Sequence, residues 1–484
     1  MNMAYLFSFF RIYFLTLVIF FSFAVNAQDQ NKEWTLEACI SYALENNIQV
    51  QQRQINRQIA EQDLKASKFD LLPDLNGFAS HGYNFGQSID PFTNQFASTR
   101  VRNNSFSLST NFVIFNGFRK YNTIQRNKSQ LEASRYDLEK MKNDISLNVA
   151  NAYLRILFNK EILKNAENQI AVTQIQIDRI QKQVNAGSLP EGALKDIQAQ
   201  KATEELQRVN AENDLILSKL NLAQLLRLEN PNEMKIADPQ LENFTGNSEM
   251  IEPGTLYGIA SERMPEIKSA ELNLYGAEKS ISIARSGYLP SLSFRGSLGS
   301  GFSGNNREIV GRGDTLIVPT GDFTSNDNEQ VLTQVAQPIF EQKAFSDQLD
   351  DNFNRTISFT LNIPIFNGMS VRTNVQRAKL QRQNAELTLE NTKLQLRQDI
   401  ETAHNDAIAA LNRFQAAERS VDALETSFNY TEERFRVGMI NSFEFNNEKN
   451  RLNNARSELL QAKYNYIFST KVLDFYQGKA LSLD

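Results

Sequence analysis

The chain of 484 residues contains two copies of one pattern, and this duplication limits its fold more than any other feature. The tetrapeptide IFNG at 114–117 recurs at 365–368, 251 residues later. The same offset relates Gly187 to Gly438, so the register holds without a gap. An internal repeat on this scale indicates one structural unit used twice.

Upstream of these motifs the offset shortens, because Pro73 matches Pro290 at 217 residues. The linker between the copies contains several prolines and glycines, which favour irregular structure. The predicted organisation is a signal peptide at 1–27, a first repeat at 34–230, a linker at 231–254, a second repeat at 255–478 and a tail at 479–484.

Each repeat is predicted to run helix, strand, loop, strand, very long helix, tight turn and helix. In the long helices apolar residues recur every seven positions, as in a coiled coil, with Arg382 as one interruption. The positions are Ile124, Leu131, Leu138, Ile145 and Ala152, then Val375, Leu389, Leu396, Ala403 and Ala410. Neither glycine nor proline interrupts 119–186 or 370–437. At 1.5 Å per residue each helix is expected to be roughly 100 Å long, flanked by shorter helices at 36–70 and 190–229.

Two segments alternate apolar and polar residues, which is the period of a β-strand. Residues 106–114 and 357–365 place Phe, Leu and Ile on one face and mostly Ser, Thr and Asn on the other. Strands near 75–85 and 291–302 are predicted to pair with them as hairpins. The pattern fits either a half-buried soluble sheet or porin-like strands that face lipid on one side. Pro364 cannot donate to a ladder and is expected to mark a strand end.

Four strands cannot close a membrane barrel, since closed barrels need about eight strands or more. An open sheet edge in lipid leaves backbone hydrogen bonds unmet. If these strands span a membrane, the chain must therefore form an oligomer. Two copies or three copies both supply enough strands, and strand counting does not choose between them.

The first residues have the pattern of a secretion signal. Arg11 precedes an almost wholly apolar stretch, and small residues at Val25 and Ala27 suit a cleavage site. The pattern predicts a signal peptide at 1–27, with a membrane anchor as the alternative. Cys39 lies well beyond the apolar stretch and within a helical pattern, so a lipid-anchored start is not expected.

Composition argues against several classes of function. A net charge of −5 without a basic patch argues against nucleic-acid binding. One cysteine cannot form an intramolecular disulfide, and two histidines, His81 and His404, make a histidine-ligated metal site improbable. The sequence shows no phosphate loop, dinucleotide glycine pattern or nucleophile–base constellation. No catalytic residue, cofactor or metal is therefore expected, and an enzyme is a distant reading.

Five short motifs follow one another along the chain. They are TLEA at 35–38, ALENN at 43–47, YLPS at 288–291, PIFNG at 364–368 and RFRVG at 434–438. Their order, together with the duplication, resembles the outer-membrane efflux proteins, the TolC family. The resemblance covers essentially the whole mature chain.

The resemblance implies a mainly α-helical fold with a membrane β-barrel. Three chains would share one twelve-stranded barrel in the outer membrane, and their coiled-coil helices would form a periplasmic α-barrel. The tip of this homotrimer would meet a periplasmic adaptor (membrane fusion protein) and an inner-membrane transporter, and substrates would pass through unchanged. The main alternative, a periplasmic coiled-coil scaffold or adaptor, does not explain the four amphipathic strands.

Each long helix is predicted to end in a tight turn. Gly187 suits the left-handed position after a helix. Ser188 and Glu191 are predicted to form a capping box for the next helix, with Pro190 in its first turn. In the second repeat the same roles fall to Gly438, Asn441 and Glu444.

The resemblance also assigns roles near the second turn. Family members often carry acids six and nine residues after its glycine, and these acids constrict the closed periplasmic end. Here the positions hold Glu444 and Asn447, so Glu444 is either part of the pore constriction or only a capping residue. Ile440 and Ala193 replace the arginine and aspartate that link neighbouring hairpins in one family example.

The turns are predicted to dock the adaptor, because they lie farthest from the strands and expose apolar residues. The predicted docking residues are Gly187, Ser188, Leu189, Gly438, Met439, Ile440 and Phe443. The polar segment 303–353, between two strands, is expected to be an external loop that assembly does not require. The Arg312-Gly313-Asp314 tripeptide within it is attributed to chance.

Overall fold

The computed structural model describes residues 33–90, 92–94, 96–97, 100–229, 234–239, 251–327 and 329–482. The predicted signal peptide and most of the predicted linker lie outside these residues. Within them, no helix is both long enough and apolar enough to cross a membrane. The described residues divide into two compact units. The first takes its residues from 33–59, 132–273 and 386–482, and the second from 60–131 and 274–385. Each unit combines segments of both predicted repeats, whose boundaries stay a prediction.

Two very long helices dominate the secondary structure. The described helices are α1 (Leu36–Asn46), α2 (Ile48–Phe69), α3 (Arg119–Asn185), α4 (Glu191–Leu226), α5 (Pro253–Arg263), α6 (Pro265–Arg285), α7 (Phe345–Asp351), α8 (Ser370–Arg436) and α9 (Ser442–Tyr476). Helices α3 and α8 contain 67 residues each, as the uninterrupted heptads predict. Their heptad positions are buried or half-buried, and Arg382 pairs with Glu278 where the apolar repeat is interrupted.

The predicted helix 36–70 is broken at Asn47, which has extended backbone angles (φ −66°, ψ 131°). The Asn47 amide donates to the carbonyl of Leu225 at 3.0 Å, and its side-chain oxygen accepts from the N–H of Gln49 at 2.9 Å. Met264, 217 residues later, separates α5 from α6 with nearly the same angles. The prediction of one continuous helix is wrong because one residue leaves helical geometry: the side chain of Asn47 bonds to backbone groups instead, and in the second repeat Pro265 disfavours helical angles at Met264.

The first unit buries the heptad seam of α3 in a cluster with α1, α4 and α9. The cluster includes Leu36, Cys39, Ala43, Leu138, Ile145, Ala152, Leu222, Leu226 and Ile467. A second cluster packs α5 and α6 against α8 and α9 through Leu256, Ala260, Ile267, Leu396, Ile400 and Leu473. Each buried Leu or Ile contributes about 1.5–3 kcal/mol, so packing rather than helix propensity holds these helices in place. Cys39 has no exposed surface, and burial raises the pKa of its thiol to about 12.

Four strands of the second unit form one antiparallel sheet in the order β1–β4–β5–β8. The described strands are β1 (Asn76–Asn84), β2 (Ser88–Ile89), β3 (Phe96–Ala97), β4 (Val101–Asn116), β5 (Ser291–Ser303), β6 (Arg307–Phe323), β7 (Gln330–Gln342) and β8 (Asn354–Asn362). Phe112, Phe294 and Phe359 lie opposite one another on an apolar face. On the polar face the guanidinium of Arg295 donates to the side-chain oxygen of Asn111 at 2.9 Å. The sheet thus has the two-sided character that the alternation predicts.

Strand β8 ends earlier than predicted. Its ladder with β5 stops at Asn362, so Ile363, Pro364 and Ile365 lie beyond the strand. Pro364 has no N–H to donate, which accounts for the nearby end of the ladder.

The segment 303–353 is not a simple loop. Strands β6 and β7 pair as a long antiparallel hairpin, and α7 follows them. Three register shifts interrupt this ladder, between 309 and 311, 312 and 315, and 319 and 323. Such bulges disturb the two-residue alternation by which a strand is recognised in sequence, which explains why a loop is expected from the sequence. That the segment is external and that assembly does not require it stay predictions.

Candidate functional site

The two helix turns have the same backbone. The first turn, residues 186–190, joins α3 to α4, and the second turn, residues 437–441, joins α8 to α9. Gly187 and Gly438 have φ values of +71° and +77°, the left-handed conformation predicted for them. In each turn the N–H of the glycine donates to the carbonyl three residues earlier, and the N–H of the next residue donates to the carbonyl five residues earlier. These hydrogen bonds are 2.9–3.1 Å long. Both turns therefore close the preceding helix in the same way.

The caps of the following helices differ. The side-chain oxygen of Asn441 accepts from the N–H of Glu444 at 2.9 Å and caps α9 as predicted. Helix α4 instead begins at Glu191 after Pro190, and no side chain caps it. The predicted box between Ser188 and Glu191 is wrong, because Glu191 is the first helical residue rather than the third. Proline also disfavours helical geometry in the residue before it, so the helix cannot begin at Leu189, as the predicted box requires.

Around the two turns, the exposed large apolar side chains lie on the second turn and on the first residues of α9, which follow it. Met439 and Phe443 expose 73 % and 76 % of their surfaces, whereas Ile440 is half-buried. Leu189 of the first turn is also half-buried, packed against a cluster that contains Ile180. The expectation that Leu189 and Ile440 face water is wrong for both residues, which occupy the same position of the repeat and are both half-buried.

Glu444 and Asn447 lie close together near the start of α9. Both side chains are exposed, and their spacing of three residues places them on one helix face. Ala193 packs against the Ile180 cluster, and Ile440 is half-buried. Both positions at which one family example has the linking arginine and aspartate therefore hold apolar side chains here.

A buried polar network joins α3, α4 and α9 within the first unit. The Lys449 ammonium lies 3.1 Å from the Glu204 carboxylate and donates to the Thr173 hydroxyl at 2.5 Å. Lys449 and Glu204 side chains expose only 3 % and 2 % of their surfaces. Thr173 also donates to Glu204, whose remaining acceptor capacity is used by the amides of Gln169 and Gln200 at 3.2 and 3.0 Å. The pair is thus hydrogen-bonded from several sides, as a buried ion pair must be.

Burial lowers the pKa of Lys449, and the nearby Glu204 carboxylate opposes that shift. Sequence reasoning missed this network, although a signal exists. Lys449 stands between Phe445 and Leu452 at the three- and four-residue spacing of a seam, and Glu204 stands seven residues after Ile197. Two opposite charges at seam positions indicate a pair, but not which helices meet.

Neither histidine belongs to these turns. His81 lies in β1, where its Nδ1 is 2.6 Å from the side-chain oxygen of Asn104, and His404 lies in the middle of α8. Over the part of the chain that the structure describes, no group of three or more His, Cys, Asp or Glu residues is placed to hold a metal ion.

The fold and sequence now identify the class of protein. The sequence profile of the family described as outer membrane efflux protein matches residues 39–226 and 256–478. The chain belongs to this family. It is an outer-membrane duct for tripartite efflux with a large periplasmic part. The family match thus confirms the expected function and localisation, and it favours the duct over the alternative of a periplasmic scaffold or adaptor. The family is one of passive channels rather than enzymes.

Two relatives and one solved structure illustrate the match. Outer membrane protein TolC of Escherichia coli K12 is 22 % identical over 425 residues, covering 87 % of this chain and 78 % of that protein. TolC of Vibrio cholerae is 23 % identical over 429 residues, covering 88 % and 86 %. The CmeC outer membrane channel of Campylobacter jejuni superposes with a TM-score of 0.72 at 19 % identity, covering 93 % and 87 %. These comparisons confirm the expected fold class of long helices with a barrel-forming sheet.

Proposed function

We propose that three copies of this chain share one barrel and one helical duct, through which substrates leave the cell unchanged. The sheet carries this proposal: within the described residues, β1 and β8 each have one edge without a neighbouring strand. Unpaired backbone groups in lipid cost several kcal/mol each, so strands of other copies must complete the ladder. Three copies supply the twelve strands that the family resemblance implies.

The helices supply independent support for assembly. Leu380, Leu387 and Leu394 of α8 recur every seven residues and expose 57–67 % of their surfaces. A stripe with this spacing is a coiled-coil seam that lacks a partner. A helix of a neighbouring copy would cover it.

The second turn is the proposed docking point for a periplasmic adaptor, which connects the duct to an inner-membrane transporter. Met439 and Phe443 form an exposed apolar pair there. Gly438, with its left-handed backbone, and the half-buried Ile440 complete this surface in the second turn. The predicted docking residues of the first turn, Gly187, Ser188 and Leu189, offer no comparable exposed apolar side chain. Exposed apolar side chains at the centre of a contact carry most of the energy of an interface.

Glu444 and Asn447 are the proposed pore constriction. In a trimer, three copies of the exposed Glu444 carboxylate would face one another at the narrow end of the duct. Carboxylates confined in a ring attract cations and repel one another. The chain itself would carry no catalytic chemistry, and its selectivity would come from this ring and from its partners.

Cross-linking in native outer membranes tests the assembly. We expect a covalent species of three chains, heat-sensitive migration of the non-crosslinked protein, and restored export when the gene is returned to a deletion strain. Leu387→Glu places a charge in the exposed seam and should reduce the amount of trimer. A monomer recovered from the soluble periplasm, or a two-chain species as the largest product, would contradict the proposal.

A further inference from the structure

The hairpin of β6 and β7 stands apart from the four-stranded sheet. Within the described residues its strands pair only with each other. It begins four residues after β5 ends at Ser303 and returns through α7 to the edge strand β8. A two-stranded hairpin is at best marginally stable alone in water, so a hairpin of this length needs cover.

The base of the hairpin is fixed. The fully buried Gln348 of α7 donates to the carbonyl of Lys343 at 2.8 Å and accepts from the N–H of Ser303 at 3.0 Å. The Phe345 ring lies 5.3 Å from the Phe302 ring. Helix α7 therefore fixes the end of β7 to the end of β5, from which β6 starts four residues later.

Both faces of the hairpin carry exposed apolar side chains. The register places one set on what we call the Ile317 face: Ile309, Ile317, Leu332 and Phe340. The opposite set forms the Val335 face: Leu316, Val331, Val335 and Ile339. These residues expose between 37 % and 63 % of their surfaces. Large exposed apolar patches mark contact sites.

We propose that the three hairpins of the assembled trimer pack on one another, each placing its Ile317 face against the Val335 face of the next copy. This inference rests on the proposed trimer. A ring of identical chains uses two different patches on each chain, one toward each neighbour. The hairpin has two such patches, whereas an external partner bound on one side would need only one.

The position of the hairpin and its charges support this choice. Because β8 is an edge strand, it faces the next copy in a closed barrel, and α7 joins the hairpin directly to it. Arg312 interrupts the Ile317 face, and Glu308 and Glu341 lie on the Val335 face. Charged side chains on a lipid face are destabilising, which argues against hydrocarbon as the cover.

Paired cysteines in the full-length protein test the contact in outer membranes. Ile317→Cys with Val335→Cys puts one thiol on each face, too far apart across the hairpin to react within a chain. Mild oxidation with copper phenanthroline should yield disulfide-linked trimers. Ile317→Cys with Leu332→Cys, both on the Ile317 face, is the matched control and should yield few. Ile309→Cys with Ile339→Cys repeats the test nearer the base should the first pair fail to assemble.

A second experiment measures directly whether the Ile317 face is covered. Ile317→Cys in intact cells should react with a large polyethylene-glycol maleimide at least tenfold more slowly than Asp327→Cys in the exposed hairpin turn. Equal labelling rates, or no interchain disulfide in either cross-face pair while the trimer is intact, would overturn the hairpin contact. Loss of the trimer in the unmodified protein would instead contradict the proposed function.

Discussion

The first and second helix turns descend from one repeated pattern, yet they present opposite surfaces. Their backbones agree, with a left-handed glycine and the same two hydrogen bonds in each. The half-buried Leu189 and Ile440 also correspond, 251 residues apart. The difference is one of residue type, because Ser188 and Gly192 stand in the first copy where the second has the exposed Met439 and Phe443. The difference teaches that duplication preserved what the chain needs in order to reverse direction. The proposed docking surface belongs to one copy alone.

The largest expected effect is on export. Met439→Glu places a charge in the exposed apolar pair and should abolish export, because an unpaired carboxylate at the centre of a contact cannot be desolvated cheaply. The amount of trimer should not change. Export of a fluorescent substrate from whole cells measures the effect.

Ser188→Glu is the control, since it adds the same charge to the first turn. Export should remain near normal in this variant. If both substitutions abolish export equally, the two turns dock together and the proposed asymmetry fails.

The next largest effect concerns the network that ties α9 to α3 and α4. Lys449→Met leaves the Glu204 carboxylate buried without its partner and should cost about 3–5 kcal/mol. The double variant Lys449→Met with Glu204→Leu should recover much of the loss. The unfolding temperature of the detergent-purified protein measures both effects: it should fall in the single variant and partly recover in the double variant. Lys201→Met, which removes an exposed pair with Glu205 on α4, should cost less than about 1 kcal/mol.

The lowered pKa of Lys449 predicts that the free energy of unfolding depends on pH. Because burial lowers the pKa of Lys449, the folded protein releases a proton that the unfolded chain still holds, between the lowered value and the ordinary 10.5. The free energy of unfolding should therefore rise with pH across this window. Lys449→Met should lack that slope, and an unchanged slope would show that other groups cause it.

A smaller effect is expected on ion selectivity. Glu444→Gln keeps the size of the side chain and the backbone contact with Asn441, but removes three charges from the proposed ring. Purified channels in planar bilayers should lose most of their cation preference. Asn447→Asp should strengthen that preference.

Glu191→Gln alters the acid at the start of α4 and should leave selectivity unchanged. If Glu444→Gln and Asn447→Asp also leave selectivity unchanged, Glu444 does not line the pore. The channel assignment would not depend on that result.

The smallest effect separates the two helix starts. Asn441→Ala removes the observed cap of α9 and should cost about 1 kcal/mol. Ser188→Ala should cost almost nothing, because α4 has no side-chain cap. Thermal unfolding of the two variants side by side checks this, and equal losses would mean that Ser188 contributes in a way the structure does not display.

Elements set by local periodicity could be predicted from sequence. The heptads gave the 67-residue helices, and the glycines gave the left-handed turns. Features that depend on contacts between distant residues could not be predicted in this way. Asn47 breaks a helix because it reaches Leu225, and the bulged β6 hides its strand period. Of the candidate site, the apolar pair of the second copy could be predicted from sequence, because Ser188 and Gly192 stand at the corresponding positions of the first. The burial of Leu189 could not, because it depends on packing against the Ile180 cluster.

The buried position of Cys39 has a practical chemical consequence. Because burial raises the pKa of this thiol to about 12, very little of it carries the reactive thiolate at pH 8. The thiolate is the form that attacks maleimides and disulfides, and this one is also enclosed on every side. We therefore expect Cys39 not to react with thiol reagents in the folded protein. Single cysteines can then be introduced and labelled without first replacing Cys39.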